Sequence, residues 1–113
     1  MKLKHGVVAA IVLQAASAMA QPLDLMEYNC ERGVAVSVVY VNGTTAGKLV
    51  LMVEGKLVPL ASVPVADGVR YQSSPATSDY VWWVKENAAM LGWYDANTGD
   101  ETTLLSQCRK VRE

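Results

Sequence analysis

The chain has no phenylalanine, one histidine and two cysteines among its 113 residues, and only 19% of its side chains are charged. Each shortage excludes something. Catalysis by Ser-His-Asp or Cys-His needs an imidazole to take the nucleophile's proton near neutral pH, and the one histidine, His5, lies in a leader that export removes. A tetrahedral site built on the two cysteines would need histidine or a nearby third cysteine to complete its set, and the mature chain has neither. No metal, no cofactor and no enzyme activity are expected. With 10 basic residues against 11 acidic ones and no basic cluster, the chain has nothing to neutralise a run of phosphates, which excludes nucleic acid as a partner. Its longest apolar run falls short of the roughly 20 residues that span a bilayer as a helix.

What is present begins with a leader. Met1-Lys2-Leu3-Lys4-His5 precedes an apolar run from Gly6 to Leu13 and small residues closing on Ala18-Met19-Ala20. That order is a secretory signal peptide over residues 1–20, with cleavage expected before Gln21. The alternative, a membrane anchor, would need a longer apolar stretch. A lipoprotein would carry cysteine after the cleavage point, where Gln21 stands. The mature chain, 21–113, is therefore expected in the periplasm as one domain without membrane insertion. Loss of Lys2 and Lys4 leaves 10 − 2 = 8 basic residues against 11 acidic, a formal charge of −3. An acidic protein attracts basic ones. In an oxidising compartment Cys30 and Cys108 read as one disulfide joining the first and last strands, the alternative being two free thiols or part of a metal site.

Beyond the leader the pattern has period two. Val34, Val36, Val38 and Tyr40 share one face of an extended segment; Leu49, Leu51 and Val53 share one face of the next, across a turn at Asn42–Gly47. Leu57–Leu60 is a short strand that Pro59 assigns to an edge or a bulge, and 61–68 is a loop. Val69–Gln72, Tyr80–Lys85, Ala88–Tyr94 and Glu101–Gln107 complete the strands, the last two as a hairpin around Asp95–Asp100. No helix is expected after the leader. The fold class is all-β, a small antiparallel β-barrel of seven or eight strands with one disulfide, since closure removes exposed edges.

Carboxylates such as Asp67, Asp79 and Glu86 are spaced as turn charges rather than as a catalytic pair. Asp95-x-Asn97-x-Gly99 has its glycine one position early for a calcium loop and lacks the closing ligand, so it reads as a hairpin turn. Asn42-Gly43-Thr44 is a turn in the form of a glycosylation acceptor. Trp82 and Trp83 must point to opposite faces of their strand. One is core; the other is left outside in the company of Trp93 or Tyr80, as an interface residue or as packing under a loop. These exposed aromatics leave a homodimer open.

Tyr28-Asn29-Cys30, Asp67-Gly68-Val69-Arg70-Tyr71, Trp82-Trp83-Val84-Lys85-Glu86-Asn87-Ala88-Ala89-Met90-Leu91 and Cys108, taken in order, resemble the MliC/PliC family of C-type lysozyme inhibitors. The resemblance covers nearly the whole mature chain and implies a small antiparallel barrel. It also implies that the two central motifs enter the lysozyme cleft, where a loop serine and a lysine meet the catalytic carboxylates. Gly68, Tyr71, Lys85, Ala89 and Leu91 match that pattern; Asp67 replaces the serine and Glu86 the second glycine. The lysozyme-binding set so implied is Asp67, Gly68, Arg70, Tyr71, Ser73 and Lys85. Lys85 is the first choice for the cation at the cleft floor and Arg70 the second. Ser73 or Ser74 stands in for the missing hydroxyl, and Tyr71 braces the loop from inside. The alternative function is a non-inhibitory, adhesin-like envelope or surface binding module on the same barrel, suggested by Asp67 and Glu86.

Overall fold

The computed structural model describes residues 23–41 and 47–111. The leader 1–20 and the turn at 42–46 lie outside the described residues, as do Gln21 and Pro22. Eight strands follow one another: β1 Leu23–Asn29, β2 Ala35–Val41, β3 Lys48–Val53, β4 Lys56–Val63, β5 Val69–Gln72, β6 Asp79–Lys85, β7 Ala88–Tyr94 and β8 Glu101–Lys110. Each pairs antiparallel with the next, and β8 returns to β1 to close the barrel.

The period-two reading holds in β2, β3 and β6, whose inward positions are apolar. Val36, Val38 and Tyr40 of β2, Leu49, Leu51 and Val53 of β3, and Trp82 of β6 are all buried in one cluster. A core without phenylalanine must satisfy a polar atom on each of its aromatic rings. Here the Tyr28 and Tyr40 hydroxyls share a hydrogen bond of 2.9 Å, and Trp82 Nε1 donates to Tyr40 Oη at 3.2 Å. Burial, and then the bond to Tyr40, pushes the Tyr28 phenol far above its ordinary pKa.

Four expectations are corrected. β1 stands where no strand was expected, because Leu23, Leu25, Met26 and Tyr28 break the alternation; the first two lie exposed on the outer face and the last two turn inward. Val34 precedes β2 and is exposed rather than sharing its inner face. β4 runs on to Val63, so the following loop is only 64–68. A three-residue 3-10 turn, Glu31–Gly33, follows Cys30. Pro59 sits inside β4 opposite Val50, yet the edge reading survives locally. β5 is short and pairs with β4 only over Ala61–Val63, so Pro59 lies in a stretch laddered on one side, where a missing N–H is tolerated.

The up-and-down order sends the loops to alternate ends. The upper end carries 64–68 and the turn at Glu86-Asn87; the lower end carries 30–34, the Glu54-Gly55 turn, 73–78 and 95–100. Cys30 and Cys108 are disulfide-bonded, and no cysteine is free. The bridge joins the residue after β1 to β8, the first strand to the last.

Candidate functional site

Because Val69 and Tyr71 pack inward from β5, Arg70 between them points out. The same parity on β6 turns Trp82 and Val84 in and leaves Trp83 and Lys85 outside. Register sets Arg70 opposite Trp83, and the two cations flank the indole: the Arg70 guanidinium lies 5.3 Å and Lys85 Nζ 4.6 Å from the Trp83 ring centre. Such contacts fix long side chains as well as attracting them.

The 64–68 loop docks on this group. Trp83 Nε1 donates to the Asp67 carbonyl at 2.9 Å, and Lys85 Nζ lies 3.5 Å from Asp67 Oδ2. Gly68 makes the approach feasible. Its φ is +75°, and a Cβ there would fall 2.3 Å from the Val84 carbonyl oxygen and 3.0 Å from Lys85 Cγ. Only glycine fits both the backbone and the space.

The two cations differ in availability. Arg70 donates to Glu101 through two nitrogens, at 2.5 and 3.3 Å, and through Nε to Gln72 at 2.7 Å. Its side chain is only 14% exposed, whereas that of Lys85 is 46% exposed and that of its partner Asp67 74%. Lys85 is thus the cation that a partner can reach. Glu101 reaches Arg70 because Gly92 leaves the outer face of β7 bare: a Cβ on Gly92 would sit 3.3 Å from Glu101 Oε2.

Asp67, Gly68, Arg70 and Lys85 are therefore gathered on one outer edge at the upper end. Tyr71 is fully buried beside Tyr40, with ring centres 5.9 Å apart, and braces β5 from within. Ala89 and Leu91 are likewise core. Ser73 and Ser74 follow β5, and none of the contacts that tie Asp67, Trp83, Arg70 and Lys85 together involves them. Glu86 takes a left-handed φ of 55°, the backbone that suits the glycine it replaces. Sequence reasoning missed two members. One of Trp82 and Trp83 was expected to face out beside Trp93 or Tyr80; it is Trp83, and its companions are Arg70 and Lys85, while Trp93 packs edge-on against Tyr80 at the other end of β6. Glu101 had no local signal, since it lies on β8 and Arg70 on β5.

No curated protein matches the chain. Among solved structures, the barrel is similar to PliC-St, the periplasmic lysozyme inhibitor of C-type lysozyme from Salmonella typhimurium, with a TM-score of 0.65 and 19% identity over 80% of this chain and 100% of that one. It is also similar to Pseudomonas aeruginosa MliC, whose structure was solved in complex with hen egg white lysozyme, with a TM-score of 0.56 and 25% identity over 81% of this chain and 85% of that one. A family profile described as MliC, membrane-bound lysozyme-inhibitor of c-type lysozyme, matches residues 28–100, which is more than half of the sequence. The span runs from the Tyr28-Asn29-Cys30 opening through the Gly68 loop and Lys85, and on that match the chain belongs to the MliC family of C-type lysozyme inhibitors.

Proposed function

We propose that this protein is a periplasmic, non-enzymatic inhibitor that occludes the active-site cleft of a C-type lysozyme with the Asp67–Gly68 loop and Lys85. The observation that carries the reading is the juxtaposition of that loop with a reachable ammonium group, 3.5 Å from Asp67 and seated on Trp83. Lysozymes of this kind work through two carboxylates, and a lysine offered by a rigid edge complements them. The net negative charge of the chain favours encounter with a basic enzyme. Arg70, held by Glu101, serves to fix Trp83 rather than to enter the cleft.

The test is lysis of a cell-wall suspension by C-type lysozyme in the presence of the purified protein. Stoichiometric inhibition is expected, and full lysis at large excess of the protein rules the reading out. Lys85→Ala should weaken inhibition by about thirtyfold, as expected for one charge-assisted contact of about 2 kcal/mol; an unchanged inhibition curve removes Lys85 from the site.

The Asp67–Lys85 pair favours a second reading, in which the edge serves a non-inhibitory binding module. Asp67 occupies the ammonium group and would face the enzyme's carboxylates with a like charge. Asp67→Ser distinguishes the two. An inhibitor should bind about tenfold more tightly once that repulsion is gone, measured as the protein concentration giving half-maximal lysis. No gain, in a protein that also fails to inhibit, favours the module.

A further inference from the structure

The lower end of the barrel holds a cavity of about 330 Å3, remote from the Asp67–Lys85 edge and not used by the function above. Buried Val36, Val53, Leu91 and Leu105 line it, and its rim carries Arg32, Glu54 and Tyr80. That volume is in the range of small-molecule sites.

The cavity is built by an irregularity in β8. Successive side chains of a strand point to opposite faces, yet Leu104 and Leu105 both line this mouth. A bulge explains it: Leu91 pairs with Leu105 and Gly92 with Thr103, which leaves Leu104 as an extra residue. Bulges of this sort re-aim a side chain beside a site. Leu104 and Val34 are each left 38% exposed at the opening, so that, among the described residues, apolar surface faces water there.

The walls are held before any ligand arrives. A second shift in β8, between the pairs Ala89–Cys108 and Leu91–Leu105, accompanies Gln107 at φ 55°. The nearby Ser106 amide donates to Glu31 Oε2 at 2.9 Å. With the Cys30–Cys108 bridge, that bond fastens the 30–34 loop, and so Arg32 and Val34, to β8. Across the mouth Tyr80 donates its hydroxyl to Glu54, which holds the phenol up to about 12 and so keeps it a neutral donor. Both charged rim residues stand on left-handed backbone, Arg32 at φ 61° and Glu54 at φ 50°, a conformation unfavourable for side chains of their kind and concentrated at functional sites.

We propose that this mouth is a preformed site for a small zwitterionic amphiphile, its apolar body lying on Leu91, Leu104 and Leu105, its anionic group meeting Arg32 and its cationic group meeting Glu54. A rim with one cation on one side and one carboxylate on the other matches a head that carries both charges better than a head with either alone. Arg32 keeps 66% of its side chain exposed and, among the described residues, has only a long contact, 3.6 Å, to Glu31, so it remains able to receive an anion.

The experiment is calorimetric titration of the purified protein with decylphosphocholine below its micelle concentration, beside decanoate and decylamine, which share the tail but carry one charge. Saturable one-to-one binding is expected, about tenfold tighter for the zwitterion than for either single-charge ligand. Leu104→Glu should weaken all three. Arg32→Ala should weaken the zwitterion and decanoate but spare decylamine; Glu54→Gln should weaken the zwitterion and decylamine but spare decanoate. Arg32 lies largely in water, so its variant reads the site even if Leu104→Glu disturbs folding. Absence of saturable binding overturns the proposal. So does equal binding of all three ligands by the Arg32 and Glu54 variants, or binding that is lost instead in Leu25→Glu on the exposed outer face of β1.

Discussion

Gly68→Val is expected to reduce lysozyme inhibition by about a hundredfold or more while leaving the barrel folded. Valine at φ +75° is strained by roughly 1–3 kcal/mol, and its Cβ would sit 2.3 Å from a backbone carbonyl that cannot move without shifting β6. The loop must therefore lift. Lifting breaks the Trp83–Asp67 hydrogen bond and frees Lys85 from its position over the indole, so the substitution removes loop placement and cation placement together. The core does not depend on the loop, because no residue of 64–68 belongs to the buried cluster. The check is the lysis assay beside near-ultraviolet circular dichroism, which reports the packing of Trp82 and its tyrosine neighbours. Unaltered inhibition with a native spectrum would show that the loop does not need its present place, and the cleft-occlusion reading would lose its geometric support.

Strands whose two faces each meet a single environment are legible in the sequence, and strands that break that condition are not. Alternation alone locates Val36–Tyr40 and Leu49–Val53, because each face of a strand meets one environment. It also places Trp82 in and Trp83 out once either is assigned. It fails at β1, where Leu23 and Leu25 are apolar on the solvent side, and the pattern no longer distinguishes faces. It fails again in β8, where the bulge at Leu104 changes parity in mid-strand.

The candidate edge divides in the same way. Asp67, Gly68 and Lys85 were legible from motif resemblance and prove to be neighbours. Tyr71, Ala89 and Leu91 belong to the same motifs yet are core, so a motif marks what the fold needs as well as what a partner touches. Ser73 was chosen for nearness in sequence to Tyr71, but it shares a concavity with Val41 and Lys48 and takes no part in the contacts that join Asp67 to Trp83 and Lys85. Glu101 governs which cation is available, and it is linked to Arg70 only through the register of β5 to β8. Such a contact follows from pairing across several strands and from the missing side chain at Gly92. No local pattern encodes it.

Removing the disulfide, by Cys30→Ala with Cys108→Ala, is expected to lower stability by about 4.5 kcal/mol in the chain-entropy account for a separation of 78 residues. For a domain of this size that corresponds to a fall in Tm of roughly 18–36 °C. The location of the bridge makes the loss larger in consequence than in magnitude. The seam between β1 and β8 has only the pairs Tyr28–Lys110 and Asn29–Arg109, extended by one bond from the Val111 amide to the Glu27 carbonyl at 2.8 Å. Every other seam that joins two long strands has more. The bridge clasps the barrel where its ladder is shortest, so its removal should open that seam ahead of the rest. Hydrogen exchange should therefore quicken first at Lys110 and Val111, while the β2–β3–β4 amides stay protected until global unfolding. A double variant that melts within a few degrees of the native protein, with uniform exchange, would mean that closure is maintained by the inward side chains alone.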